Sequence, residues 1–171
     1  MRHFILASAA ALALTGCASV SDVLHTPLVD MTPEAGRNYV DVAAASDLFE
    51  IQSSNLALGR AQNPAVRQFA QMMVAHHTQT TQQLTAAARA AGIVPVPRLV
   101  PMQVRMMNTL QQTAPGSFDR VYMEQQVRAH EMALALHSNY ARAGDTPALR
   151  ATASAAVPIV SQHLAQARTL R

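Results

Sequence analysis

Residues 66–91, VRQFAQMMVAHHTQTTQQLTAAARAA, decide how the rest of the chain is read. At 100° per residue, Val66, Phe69, Ala70, Met73, Leu84 and Ala88 fall on one side, the mark of a long amphipathic helix. His77 lies in the middle of that apolar stripe. A charged or half-satisfied imidazole is costly there unless another group meets it. The stretch therefore predicts a packed helix and a polar partner brought from elsewhere.

The neighbouring punctuation defines more helices of the same kind. Asn63-Pro64 is a cap followed by proline at the first helical position, and Gly92 closes the segment. Upstream, Thr32-Pro33-Glu34 gives a similar start for a first helix over about 33–61, weakened near its beginning by Gly36. The turn at 62 is short, so these two helices are antiparallel neighbours. Pro95, Pro97 and Pro101 make an extended crossover, followed by a short helical pattern over 102–113. Pro115-Gly116 is expected to separate it from a third long helix, capped by Ser117, over 118–142 and ended by Gly144. Asp145-Thr146-Pro147 opens a fourth over 147–170, with Pro158 inside it and a kink expected there. No segment alternates as a strand does. Two tight helical hairpins joined by a longer crossover describe an all-α, up-down four-helix bundle, with an extra short helix in the crossover.

Composition agrees. Half of the 171 residues are hydrophobic and only 13% are charged, which excludes a disordered polyelectrolyte. Aromatics are 4% and Trp is absent, so the core is built of Ala, Leu, Val and Met, a mixture suited to close helix packing. The net charge is +3, and every basic residue is an Arg placed singly rather than in a run, so no nucleic-acid partner is expected.

Ahead of the bundle, MRHFILASAAALALTGCASV has a short basic start and an apolar segment of signal-peptide length, too short to span a bilayer. It ends in Leu14-Thr15-Gly16-Cys17, which resembles a bacterial lipobox, and Cys17 is the one cysteine of the chain. The expectation is a lipoprotein signal peptide over 1–16, lipidation at Cys17, a tether over 17–32 and the bundle domain over 33–171. Acyl chains at Cys17 would make the membrane its partner. No Asp follows Cys17, which resembles sorting to the periplasmic face of the outer membrane.

The other helices repeat the design of the second. Met123, His130, Leu134, His137 and Ala141 share a stripe, with Val127 at its edge. Leu149, Thr152, Ala156, Ile159, His163, Ala167 and Leu170 share another. The first helix carries Glu50 among Ala43, Ser54, Ala57 and Ala61. Counted from the two tight turns, Glu50 and His77 lie about 12 and about 15 residues away, and His130 and His163 about 15 and about 18. At ~1.5 Å per residue each pair differs in height by only about 5 Å. One polar group per helix thus reaches the middle of the bundle. Glu50, His77, His130 and His163 are candidate ligands for Zn, Fe, Mn or Cu. The alternative is a closed hydrogen-bond network that fixes helix register in a metal-free scaffold or partner-binding bundle.

Catalytic signatures are missing. Glu50, Glu124 and Glu131 are followed three residues on by Ser53, Val127 and Leu134, so the Glu-x-x-His motif of di-iron carboxylate bundles is absent. There is no Gly-rich phosphate loop and no Gly-x-Ser-x-Gly elbow, and the sequence points away from an enzyme. The methionines at 72, 73, 102, 106, 107, 123 and 132 recur at helical spacing and read as core rather than as thioether ligands. His76, rotated 100° from His77, is expected to face a groove or solvent.

Four motifs then stand in order: Asp47-Leu48-Phe49-Glu50-Ile51 with Leu56-Ala57, Phe69-Ala70-x-x-Met73-Val74-x-x-His77, Phe118-Asp119-x-x-Tyr122 with His130, and Pro158-x-x-x-x-His163-Leu164. Over about residues 37–170 the chain resembles the domain-of-unknown-function 4142 family. The resemblance implies an exported bacterial protein with a ferritin-like helix bundle and no established activity. The family's recurrent Glu and His positions correspond to Glu50, His77, His130 and His163. His76 departs from the family pattern, where Asp is usual.

Overall fold

The computed structural model describes residues 35–171. The signal peptide, Cys17, the whole tether and the Thr32-Pro33-Glu34 start lie outside the described residues. The rest is all-helical, with no strand among the described residues: α1 (Gly36–Arg60), α2 (Pro64–Ala90), α3 (Pro101–Gln112), α4 (Pro115–Ala143) and α5 (Pro147–Leu170). No helix among them is long and apolar enough to cross a membrane.

The hairpins close where the sequence chemistry places them. The Asn63 side chain accepts a hydrogen bond from the Ala65 amide at 2.9 Å, a capping bond at the start of α2. Gly92, at φ 74°, ends α2 in the left-handed conformation open to glycine, and the Ile93 amide returns to the Ala88 carbonyl at 2.8 Å. Pro115 does not break the chain as expected. It is the first residue of α4, two positions ahead of Ser117, because a helix tolerates proline where its N–H has no partner anyway. α5 continues through Pro158.

α1 packs on α2 and α4, and α5 packs on the same two helices, so the four long helices form a ring. The short α3 lies against α1 and α4. Arg60 holds it there by donating to the carbonyls of Leu110 (3.0 Å) and Gln111 (2.8 Å), while its guanidinium lies 4.7 Å over the Phe118 ring. Asp119 accepts from the amides of Gln62 and Asn63 and so ties α4 to the α1–α2 turn. Met106 and Met107 are buried against Phe49, which is core packing as expected.

The seven buried residues of α2 are Val66, Phe69, Ala70, Met73, His77, Leu84 and Ala88. α4 differs from expectation. Leu134, His137 and Ala141 are only half-buried, and its buried row runs through Ala133, Leu136 and Tyr140. The reason is packing against α1: Tyr140 stacks on Tyr39 with ring centroids 3.9 Å apart, and Leu136 joins the same apolar cluster. α5 shifts in the same way, with Ala153 and Val160 buried in place of Thr152, Ala156 and Ile159.

Besides the Phe49–Met106–Met107 cluster under α3, two apolar clusters fill the space between the four long helices. One contains Ala57, Phe69, Phe118, Tyr122, Met123 and Leu164; the other contains Tyr39, Leu84, Leu136, Tyr140, Leu149 and Ala153. In each long helix a polar residue falls between its contributions to the two: Glu50, His77, His130 and His163. A polar layer therefore lies between two hydrophobic ones.

Candidate metal centre

The structure brings His77, His130 and His163 together. One ring nitrogen from each lies within 4.8 Å of the others, and all three residues are buried. The ring centroids stand 5.5–5.7 Å apart, close to an equilateral triangle. Phe69 meets His130 edge-on at 6.4 Å and walls the cluster toward one apolar end.

Each imidazole is held by the nitrogen that faces away from its free one. His77 Nδ1 lies 2.8 Å from Asp47 Oδ1, and that carboxylate also accepts from the hydroxyls of Thr80 (3.0 Å) and Thr81 (3.2 Å). His130 Nδ1 donates to the Gln126 carbonyl at 2.8 Å. His163 Nε2 lies 2.8 Å from His76 Nδ1. The remaining nitrogens, His77 Nε2, His130 Nε2 and His163 Nδ1, are buried and have no hydrogen-bond partner. Orphaned buried polar atoms are rare because each costs about 1–3 kcal/mol. Three of them, one on each of three neighbouring imidazoles, make a set of unused donor atoms of the kind a transition metal takes.

Glu50 is placed beside this group rather than within it. Its Oε1 is 3.7 Å from His130 Nδ1, and its Oε2 is a fourth buried atom without a partner. Burial raises the Glu50 carboxyl to about 7, with the positive charge of His77 pulling the other way. Burial lowers His130 to about 3, helped by the charge on His77. His163 is lowered to about 3 by the same two causes. Burial also pushes His77 down, but the Asp47 hydrogen bond and the charges of Glu50 and Asp47 outweigh it, so His77 is raised. His77 is thus the imidazole of the cluster that takes a proton most readily, while His130 and His163 favour the neutral form. A metal ion would take the place of the His77 proton and would favour ionised Glu50.

Two residues joined to the site were not found from periodicity. Asp47 stands in the first of the four motifs and lies one turn before Glu50 on the same side of α1. His76 is exposed as expected, yet its ring stacks on His163. His137 stays outside the cluster, bonded through Nδ1 to the Tyr39 hydroxyl at 3.0 Å. The quoted motifs also gain structural roles, with the Tyr122 hydroxyl sharing a 2.8 Å hydrogen bond with Ser54.

The sequence model of the domain of unknown function DUF4142 matches residues 26–170. The chain belongs to this family. No curated protein matches it. Among solved structures, a DUF305 fragment from Deinococcus radiodurans is similar, with a TM-score of 0.69 at 18% identity over 83% of this chain and 97% of that one. CopM in its Cu(I)-bound form is also similar, with a TM-score of 0.67 at 17% identity over 78% of this chain and 93% of that one. CopM in its Cu(II)-bound form gives 0.64 at 17% identity, over 79% and 95%. The family member described here shares their helical fold.

Proposed function

We propose that this family member binds one transition-metal ion through His77, His130 and His163, with Glu50 as a fourth ligand or charge partner, in a ferritin-like up-down four-helix bundle. The carrying observation is the trio of buried, unpartnered ring nitrogens, each on an imidazole whose other nitrogen is already engaged. Imidazole suits Cu, Zn and Fe alike. Copper is the foremost candidate, supported by the Cu(I)- and Cu(II)-bound state of the similarly folded CopM. The bound ion would supply a redox-active or Lewis-acid centre. The two apolar clusters would shield it from solvent on either side.

The test is reconstitution of the purified, tag-free chain with Cu, Zn, Fe or Mn, followed by elemental analysis and melting with and without chelator. One ion per chain is expected, together with a melting temperature that chelator lowers. If no metal is retained and chelator leaves melting unchanged, the reading gives way to a metal-free scaffold in which the polar layer fixes helix register.

The same reading places the protein at the periplasmic face of the outer membrane, anchored by acyl chains on Cys17. Leu14-Thr15-Gly16 directly before Cys17, and the lack of a second cysteine for a disulfide, support it. Cys17→Ala is expected to leave the precursor uncleaved by the lipoprotein peptidase and unlipidated, with the bundle still folded. Normal processing and unchanged membrane fractionation of that variant would rule out the anchor.

A further inference from the structure

His76 directly precedes the cluster residue His77, so it projects about 100° away around α2. Its ring nonetheless covers His163. The two rings are nearly parallel, at 21° with centroids 5.0 Å apart, and His76 Nδ1 stands 2.8 Å from His163 Nε2. His163 is 1% exposed, whereas His76 is open to solvent, so His76 caps the cluster at its solvent edge.

Two imidazoles can share this contact only if one nitrogen donates and the other accepts. In the first arrangement His76 Nδ1–H donates and the hydrogen of neutral His163 sits on Nδ1. That would bury an N–H with no acceptor. In the second arrangement His163 Nε2–H donates outward to His76 Nδ1. Nδ1 of His163 then carries a lone pair turned to the free ring nitrogens of His77 and His130, as a metal ligand requires, and no N–H is buried without an acceptor. The second arrangement is the lower in energy.

We propose that His76 makes Nδ1 the metal-ligating atom of His163, while His77 and His130 ligate through Nε2. The inference rests on the metal reading of the three-histidine cluster. His77 and His130 each have their acceptor at Nδ1, supplied by Asp47 and the Gln126 carbonyl, which leaves Nε2 free. His163 has its acceptor at Nε2, so its free atom is the other one. His76 is a positioning residue that acts through His163 and does not itself hold the ion.

The substitutions that test this follow from bond counting. Asp and Asn place an acceptor oxygen as many bonds from Cα as His places Nδ1, and Ala places none. The full chain, metal-free and labelled with ¹⁵N, is examined by long-range ¹H–¹⁵N correlation for the His163 tautomer. It is then titrated with Zn(II). Wild type is expected to show a protonated Nε2 in the metal-free state and a shift of the His163 Nδ1 resonance on Zn(II) uptake. His76→Ala is expected to lose the single tautomer and to weaken Zn(II) binding by about 10–100-fold, the usual consequence of removing a ligand's hydrogen-bond partner. His76→Asp is expected to restore both. A residue that only packs would leave the tautomer unmoved. The proposal is overturned by Zn(II) ligation through His163 Nε2, or by His76→Ala with wild-type tautomer and affinity, and the metal reading survives either result. A wild-type chain that takes up no Zn(II), Cu or Fe overturns both.

Discussion

Replacing His130 with alanine is expected to abolish stoichiometric metal uptake. His130 is 1% exposed and contributes one of the three convergent ring nitrogens. Its ring orientation is fixed by the 2.8 Å bond from Nδ1 to the Gln126 carbonyl one helical turn earlier. Without it, two imidazoles and a neighbouring carboxyl remain, and water must complete the coordination in a site walled by Phe69. The loss should exceed the roughly 10–100-fold typical of an outer hydrogen-bond partner. It can also be read as stability. Metal at about 1,000 times its Kd would stabilise the native protein by about 4 kcal/mol. For a domain of this size that is a rise of roughly 10 °C in melting temperature, and it should vanish in His130→Ala. His137→Ala is the matched control. His137 is also a low-pKa histidine of α4, held down to about 4 by burial, but it bonds Tyr39 and lies outside the cluster. Elemental analysis and melting curves with added metal measure both variants. Full metal content in His130→Ala would remove the cluster from consideration as the binding site.

Asp47→Ala carries the second large effect, visible without any metal. Asp47 is 7% exposed, and its carboxylate accepts from His77, Thr80 and Thr81 together. Removing it leaves the buried His77 imidazole without its ion-pair partner, while the Thr80 and Thr81 hydroxyls keep the His77 carbonyl as acceptor. Breaking a buried ion pair by deleting one partner costs about 3–5 kcal/mol. The sign of the pH dependence follows from the raised His77 pKa. A histidine raised on folding contributes stability that is complete below its unfolded value, about 6.5, and is lost as pH rises through the folded value. Destabilisation by Asp47→Ala should therefore be larger at pH 6 than at pH 9. Asp47→Asn keeps an acceptor without the charge and should fall between the two. Denaturant unfolding at the two pH values decides the matter; a pH-independent difference would show that Asp47 acts only by packing and neutral hydrogen bonds.

The sequence by itself determined the helices and the height of their polar residues. Capping residues and prolines are local signals, and the 3.6-residue period turns the spacing of Val66, Phe69, Ala70, Met73, His77, Leu84 and Ala88 into one buried face with no knowledge of its neighbours. The short turns at 61–63 and 144–146 convert residue counts into heights, so Glu50, His77, His130 and His163 could be assigned to one layer before their contacts were known. On α4 the same arithmetic failed. Which of its residues are buried depends on what the neighbouring long helices present, such as Tyr39 of α1 stacked on Tyr140, and no local pattern on α4 records that contact. Tertiary structure alone decided which nitrogen of each imidazole is engaged. Asp47, His76 and the Gln126 carbonyl are acceptors presented across helices or by the backbone, and a sequence lists residue types without saying which atoms face one another. It also decided that Glu50 stands beside the three histidines, because a carboxylate's reach depends on helix rotation and side-chain torsion, both set by packing. Periodicity places a residue on a face to within tens of degrees; a ligand atom must be placed to within a fraction of an ångström.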